Sequence, residues 1–163
     1  MRKIYLIAFV LFFALVGCGS DPLKSFVKKF NEISQKNGID ILITDDFGPV
    51  EQEEDSNRAW QLLYETNEYI IEAKYEDGKN LSGYYLVIDN NDPYEEREGR
   101  GYNAAITIIE SLGLVKTKFN NEFKKAMELS SHSYSDDDYI VSFTNPKSDG
   151  ITSVGLIVNF DKK

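Results

Sequence analysis

Apolar residues recur along this chain at two different spacings, and the two are segregated. Leu23, Phe26, Val27, Phe30 and Ile33 stand three or four apart, with Lys24, Lys28, Lys29 and Glu32 opposite, which predicts an amphipathic helix. Asp21 and Pro22 are the residue types of an N-cap and a first helical position, and Asn37-Gly38 those of a left-handed stop. From Ile39 the period drops to two. Ile39, Ile41 and Ile43 alternate with Asp40, Leu42 and Thr44, which predicts a strand. Further strands are predicted around Ala59–Tyr64, Glu68–Glu76 and Gly83–Asp89, the last two joined through Asp77-Gly78. Helical spacing returns over Tyr102–Leu112, stopped by Gly113, and over Lys116–Leu129. Two strands close the chain: Tyr139, Val141 and Phe143 alternate in one, Val154, Leu156, Val158 and Phe160 in the other. They are expected to pair as a hairpin about Asn145–Gly150.

The predicted order is α-β-β-β-β-α-α-β-β. Runs of strands and of helices segregate, so the expected class is α+β, an antiparallel sheet of about five to six strands with three helices packed on one face. No βαβ unit is present, which argues against a dinucleotide-binding α/β fold. Asp45–Asn57, Asn90–Arg100 and Ser130–Asp137 read as polar loops.

Composition narrows the chemistry. With 163 residues, 42% of them hydrophobic, the chain can bury the core of one domain. Eighteen basic against 27 acidic residues give a net charge of −9, which argues against nucleic acid, because phosphate binding needs a basic face. One Cys leaves no internal disulfide or Cys-rich zinc site, and one His leaves no multi-His metal site. No cofactor is implied, and nothing sets an oligomeric state.

The N-terminus carries the most specific signal. Arg2 and Lys3 precede an apolar run from Ile4 to Val16, the layout of a signal peptide, and the run is shorter than the roughly 20 residues that span a bilayer. Leu15-Val16-Gly17-Cys18 follows. This segment resembles the lipobox of bacterial lipoproteins, in which the Cys thiol is diacylglycerylated and the chain is cut just before it. The resemblance covers residues 1–18. It implies residues 1–17 as a cleaved signal peptide, 18–22 as a lipid-anchored tether, and 23–163 as one α+β domain. It also accounts for the single cysteine, because thioether formation consumes the thiol. Loss of Arg2 and Lys3 lowers the charge from −9 by two, to −11. The expected location is the extracytoplasmic face of a cell membrane, reached through the lipid on Cys18. Heavy use of Lys, Asn, Ile, Tyr and Phe favours a Gram-positive host.

Candidate sites beyond Cys18 are weaker. His132 sits among serines with Asp136, Asp137 and Asp138 nearby, but no G-x-S-x-G elbow accompanies it, so a solvated loop is the default over catalysis. Asp89, Asn91 and Asp92 put oxygen ligands close together, a weak calcium candidate without the glycine and terminal glutamate of an EF-hand loop. Gly99-Arg100-Gly101 before a helix is a weak anion signal. Tyr64, Tyr69, Tyr75, Tyr84, Tyr85 and Tyr139 fall on predicted strands, where sheet packing is the default. The loop tyrosines are the better binding candidates. Tyr94 and Tyr134 are the expected anchors of a partner surface, with Glu95, Glu96, Asp136, Asp137 and Asp138 steering a basic partner. Should those loops not serve, the outer face of the sheet is the next surface.

The functional expectation is a lipid-anchored, non-enzymatic binding module of a bacterial envelope, in an accessory, regulatory or immunity and exclusion role, with an envelope or membrane protein as partner. A small carboxylate-dependent envelope hydrolase and a solute-binding lipoprotein are the alternatives.

Overall fold

The computed structural model describes residues 21–146 and 154–163. The fold is α+β. Helix α1 spans Pro22–Lys36, α2 Gly99–Ser111 and α3 Lys116–Met127. Seven strands form one antiparallel sheet: β1 Val50–Gln52, β2 Arg58–Glu65, β3 Tyr69–Glu76, β4 Asn80–Ile88, β5 Ser131–Asp136, β6 Tyr139–Thr144 and β7 Leu156–Lys162. Their order across the sheet is β1-β2-β3-β4-β7-β6-β5. The closing strands pair with each other, Val141 opposite Phe160 and Phe143 opposite Val158, and β7 also pairs with β4. The C-terminal strand therefore lies inside the sheet. Part of the turn expected at Asn145–Gly150 falls outside the described residues.

Alternation decides which face the helices cover. Ile71, Leu86, Val158 and Val141 point to one side and are fully buried. The helices bring Phe26, Phe30, Ile108, Phe119 and Phe123 onto that side, with Phe26 stacked on Tyr84 at 3.8 Å and Phe119 5.6 Å from Phe143. All three helices lie on this face, so the other face carries no helical cover among the described residues.

Three predicted segments come out differently. Ile39–Thr44 alternates as expected, with Ile41 and Ile43 buried, yet it joins no ladder. Its backbone bonds to α1 instead: Asn31 Nδ2 donates to the Ile43 carbonyl (2.8 Å), the Ile43 amide donates to Asn31 Oδ1 (2.9 Å), and Ser34 Oγ donates to the Ile39 carbonyl (2.9 Å). Alternation reports a two-sided environment, not a strand partner. The polar stretch Asp45–Asn57 contains the short edge strand β1. Ser130–Asp137, read as a loop, is the edge strand β5, in which Ser131, Ser133 and Ser135 face out while His132, Tyr134 and Asp136 turn toward the helices. Among the described residues the count is seven strands, beyond the five to six expected.

The two ends of the sheet differ. The β3–β4 and β5–β6 turns and the end of β7 share one end, and α1 starts there, because Asp21, Lys79, Tyr139 and Lys162 line one cleft. The β2–β3 turn and the segment after β4 share the other end.

Candidate functional site

The loop after β4 does not present its tyrosine. Tyr94 opens a single turn of 3-10 helix, Tyr94–Glu96, and its ring is fully buried against the backbone at Gly155, so it offers a partner no contact area. Glu95 and Glu96 beside it are exposed. Asp92 is buried at the start of α2, where its Oδ2 accepts the Gly101 amide at 2.8 Å. Burial pushes this carboxyl up, and the amides of Gly101, Arg100 and Tyr102 partly offset the rise. Gly99, at φ +89°, is needed here: a Cβ would stand 2.4 Å from Asp92 Oδ1. The anion expected before α2 is thus the chain's own Asp92. Asp89 accepts the Asn91 amide (2.8 Å) and its side-chain nitrogen (2.7 Å). Asp92 and Asp89 therefore turn to internal donors, and among the described residues no group of three His, Cys, Asp or Glu is placed to hold a metal ion.

Strand β5 consumes its polar residues in the same way. The buried Asp136 accepts the Val115 amide at 2.9 Å, at the start of α3, with the Lys118 ammonium 3.4 Å away. Tyr134 turns inward, 6.2 Å from Phe143, with Lys118 5.6 Å from its ring centre, and burial pushes its phenol up. Asp137 and Asp138 are exposed in the β5–β6 turn. His132 stacks on Phe143, and its Nε2 lies 2.7 Å from Glu122 Oε2 on α3. Glu122 also accepts from Lys125, and these two bonds, Lys125's first, hold its carboxyl below the usual range. The pair fastens an edge strand to a helix. Tyr102, in the first turn of α2, is buried with its hydroxyl donating to Asn120 Oδ1 at 2.8 Å.

The uncovered face of the sheet offers a different constellation. Trp60 on β2 stands opposite Lys74 on β3, which stands opposite Gly83 on β4, which stands opposite Asp161 on β7. Gly83 supplies no side chain to this row, and a Cβ there would meet the Phe160 carbonyl at 2.2 Å. Lys74 reaches across it to Asp161, and to Asn159 Oδ1 at 3.3 Å. The same ammonium lies 5.5 Å from the Trp60 ring centre, and Tyr85 meets Trp60 edge-on at 5.2 Å. Ile70, Val87 and Ile157 continue this face half-buried, and Leu62 is exposed.

Three hollows border Trp60 among the described residues. One, about 410 Å³, is lined by Arg58, Trp60, Lys74, Asp161 and Lys162 with their neighbours. A second, about 540 Å³, is bordered by Glu51, Arg58, Trp60, Glu72, Lys74 and Tyr85. The third, about 260 Å³, has Pro49, Trp60, Leu62 and Ile70 as apolar walls and Glu51, Glu65 and Glu72 as its only charged lining. Burial, then Glu51 and Glu65, push the Glu72 carboxyl up. None of these three acids is ion-paired among the described residues. A separate cleft of about 610 Å³, beside the start of α1, is lined by Phe26, Lys29, Tyr75, Tyr84, Tyr139 and their neighbours.

Sequence reasoning ranked the tyrosines by loop or strand and so passed over Trp60 and Tyr85. The legible signal was apolar residues at both parities of β2, β3 and β4: a one-sided strand leaves its second parity polar. Cys18 lies outside the described residues, and no described helix is long and apolar enough to cross a membrane. Compared with family models, curated proteins and solved structures, the chain matches none.

Proposed function

We propose that this chain is a lipid-anchored, non-enzymatic binding module on the outer face of a bacterial cell membrane, and that it engages a partner through the uncovered face of its sheet. The observation that carries the reading is that face: a Trp60–Tyr85 centre with half-buried aliphatics around it and, among the described residues, no helix over it. Clustered aromatic and aliphatic side chains left on a surface mark interaction sites. Among the described residues the two carboxyls that burial raises stand apart, Asp92 bonded to the Gly101 amide at the start of α2 and Glu72 at the hollow beside Trp60, an arrangement that favours a module over a paired-acid hydrolase.

The anchor adds orientation. Asp21 follows Cys18 by three residues, which reach at most about 10 Å when extended. The sheet end where α1 starts then stands next to the bilayer, and the uncovered face looks sideways along the membrane. A neighbour in the envelope can approach it without leaving the surface.

Capture from the native membranes tests this reading. The lipidated parent should retain a recurrent partner that Trp60→Ala and Tyr85→Ala both lose, with thermal melting showing that each variant folds. Identical captures by parent and variants would place the partner surface elsewhere.

A further inference from the structure

Resting on the reading that the uncovered face is the working surface, we infer that its smallest hollow receives an arginine or lysine side chain from a protein partner. The lining divides into two parts that match the two parts of such a side chain. Pro49, Leu62 and Ile70 give apolar lining for an aliphatic stem, and Trp60 lines the same hollow with an aromatic side chain, the group that attracts a cationic head. Glu51, Glu65 and Glu72 supply three carboxylates; among the described residues no basic side chain lines this hollow or pairs with them, the nearest being Arg58 and Lys74, which border the adjoining hollow with Glu51 and Glu72. On the neighbouring stretch of the face the chain shows the same chemistry internally: Lys74 sits 5.5 Å from the Trp60 ring centre with Asp161 as its counter-charge.

Charge decides between occupants. A neutral glycan could stack on Trp60, but it would leave three uncompensated carboxylates at the contact. A second copy would bring its own acids, and with −9 on the full chain, copies repel one another. A basic segment relieves the repulsion among the glutamates, repulsion that with burial already raises Glu72.

Trp60 is the only tryptophan of the chain, so its fluorescence reports on the hollows that border its ring, and the glutamate variants assign the signal to the smallest one. The full lipidated chain, in neutral detergent, is titrated with acetylated tetra-arginine amide and with the same peptide carrying citrulline, an uncharged isostere. The arginine peptide should shift Trp60 emission saturably, and the citrulline peptide should not. The double variant Glu51→Gln/Glu72→Gln should weaken binding about tenfold or more, while Glu95→Gln/Glu96→Gln, exposed on the far loop, should leave it unchanged. Raising salt from roughly 0.1 to 1 M should weaken it as well. Equal response to citrulline, or equal weakening by the Glu95/Glu96 variant, would overturn the inference. So would a saturable Trp60 shift with tri-N-acetylchitotriose in place of the peptide, or sedimentation showing a Trp60-dependent dimer. If the peptide does not bind while Trp60→Ala still loses the captured partner, the cationic inference fails and the uncovered-face reading stands. If Trp60→Ala captures every partner of the parent, the surface itself is wrong and the inference falls with it.

Discussion

Asn31→Ala is the substitution that most directly tests why Ile39–Thr44 is held without a strand beside it. The Asn31 side-chain amide gives one hydrogen bond to the Ile43 carbonyl and takes one from the Ile43 amide, at 2.8 and 2.9 Å, which is the service a neighbouring strand would give. Ile43 is 2% exposed, so truncating Asn31 leaves a donor and an acceptor in the core with no partner. Two lost bonds at about 0.5–1.5 kcal/mol each set the lower bound, and desolvation of the orphaned groups raises it. Asn31 itself is half-buried, which lets water reach the gap and limits the penalty, so we expect about 2–3 kcal/mol. For a domain of this size that lowers the melting temperature by about 5–10 °C. Urea unfolding should show the change as a lower midpoint at constant slope, and the Ile43 amide should exchange faster with solvent. Asn31→Asp separates bonding from packing. It keeps the volume but sets an ionised oxygen against the Ile43 carbonyl, so it should be at least as damaging as alanine at neutral pH and recover when acidified. Stability of Asn31→Ala within about 0.5 kcal/mol of the parent, with the Ile43 amide still protected, would refute the reasoning.

Asp92 has its folded value raised by burial, so its contribution to stability falls as pH rises above the ordinary 3.8 and levels once the raised value is passed. Melting curves of parent and Asp92→Asn should therefore diverge in that window, the parent losing ground as pH rises; parallel curves would contradict the assignment. Glu122 is the opposite case: its lowered value contributes stability that is present above 4.5 and lost as pH falls through the folded value. Glu122→Gln should melt below the parent at neutral pH, with the gap closing on acidification, and a pH-independent gap would show that the bonds to Lys125 and His132 do not titrate as argued. Cys18→Ala should release the chain from membranes or leave an unprocessed precursor. A mature-size species still fractionating with membranes would remove the lipid anchor from the reading.

The elements legible in the sequence are those whose period and partners are local. The first helix, the Asp77-Gly78 hairpin and the closing pair all announce themselves within a few residues of where they form. The misreadings come where a helix supplies side-chain partners to an extended segment. Ile39–Thr44 looks like a strand because one side is buried, but its backbone is satisfied by Asn31 and Ser34 from the helix before it. Strand β5 looks like a loop because its inward residues are His132, Tyr134 and Asp136, polar groups that no alternation of apolar residues can flag. Each becomes an inward residue only once α3 supplies Glu122, Lys118 and the Val115 amide.

The same distinction explains why the acidic loops pointed away from the uncovered face. Each of the three helices begins at a carboxylate, because its first amides lack intrahelical partners and its dipole favours negative charge. For α1 the acid is Asp21, adjacent and readable, its Oδ1 accepting the Leu23 amide at 3.0 Å. For α2 and α3 the residues at the helix boundary, Glu98 and Val115, make no side-chain cap, and the acids arrive from Asp92 and from Asp136 on β5. Both were counted from sequence as free surface charge, one as a weak calcium ligand and one as a partner contact, although each is already engaged at a helix terminus. Glu51, Glu65 and Glu72 face no helix terminus and pair with no base among the described residues. An acid that finds no internal donor stays available to whatever approaches from outside, and Glu51, Glu65 and Glu72 are the acids of this kind that stand beside Trp60.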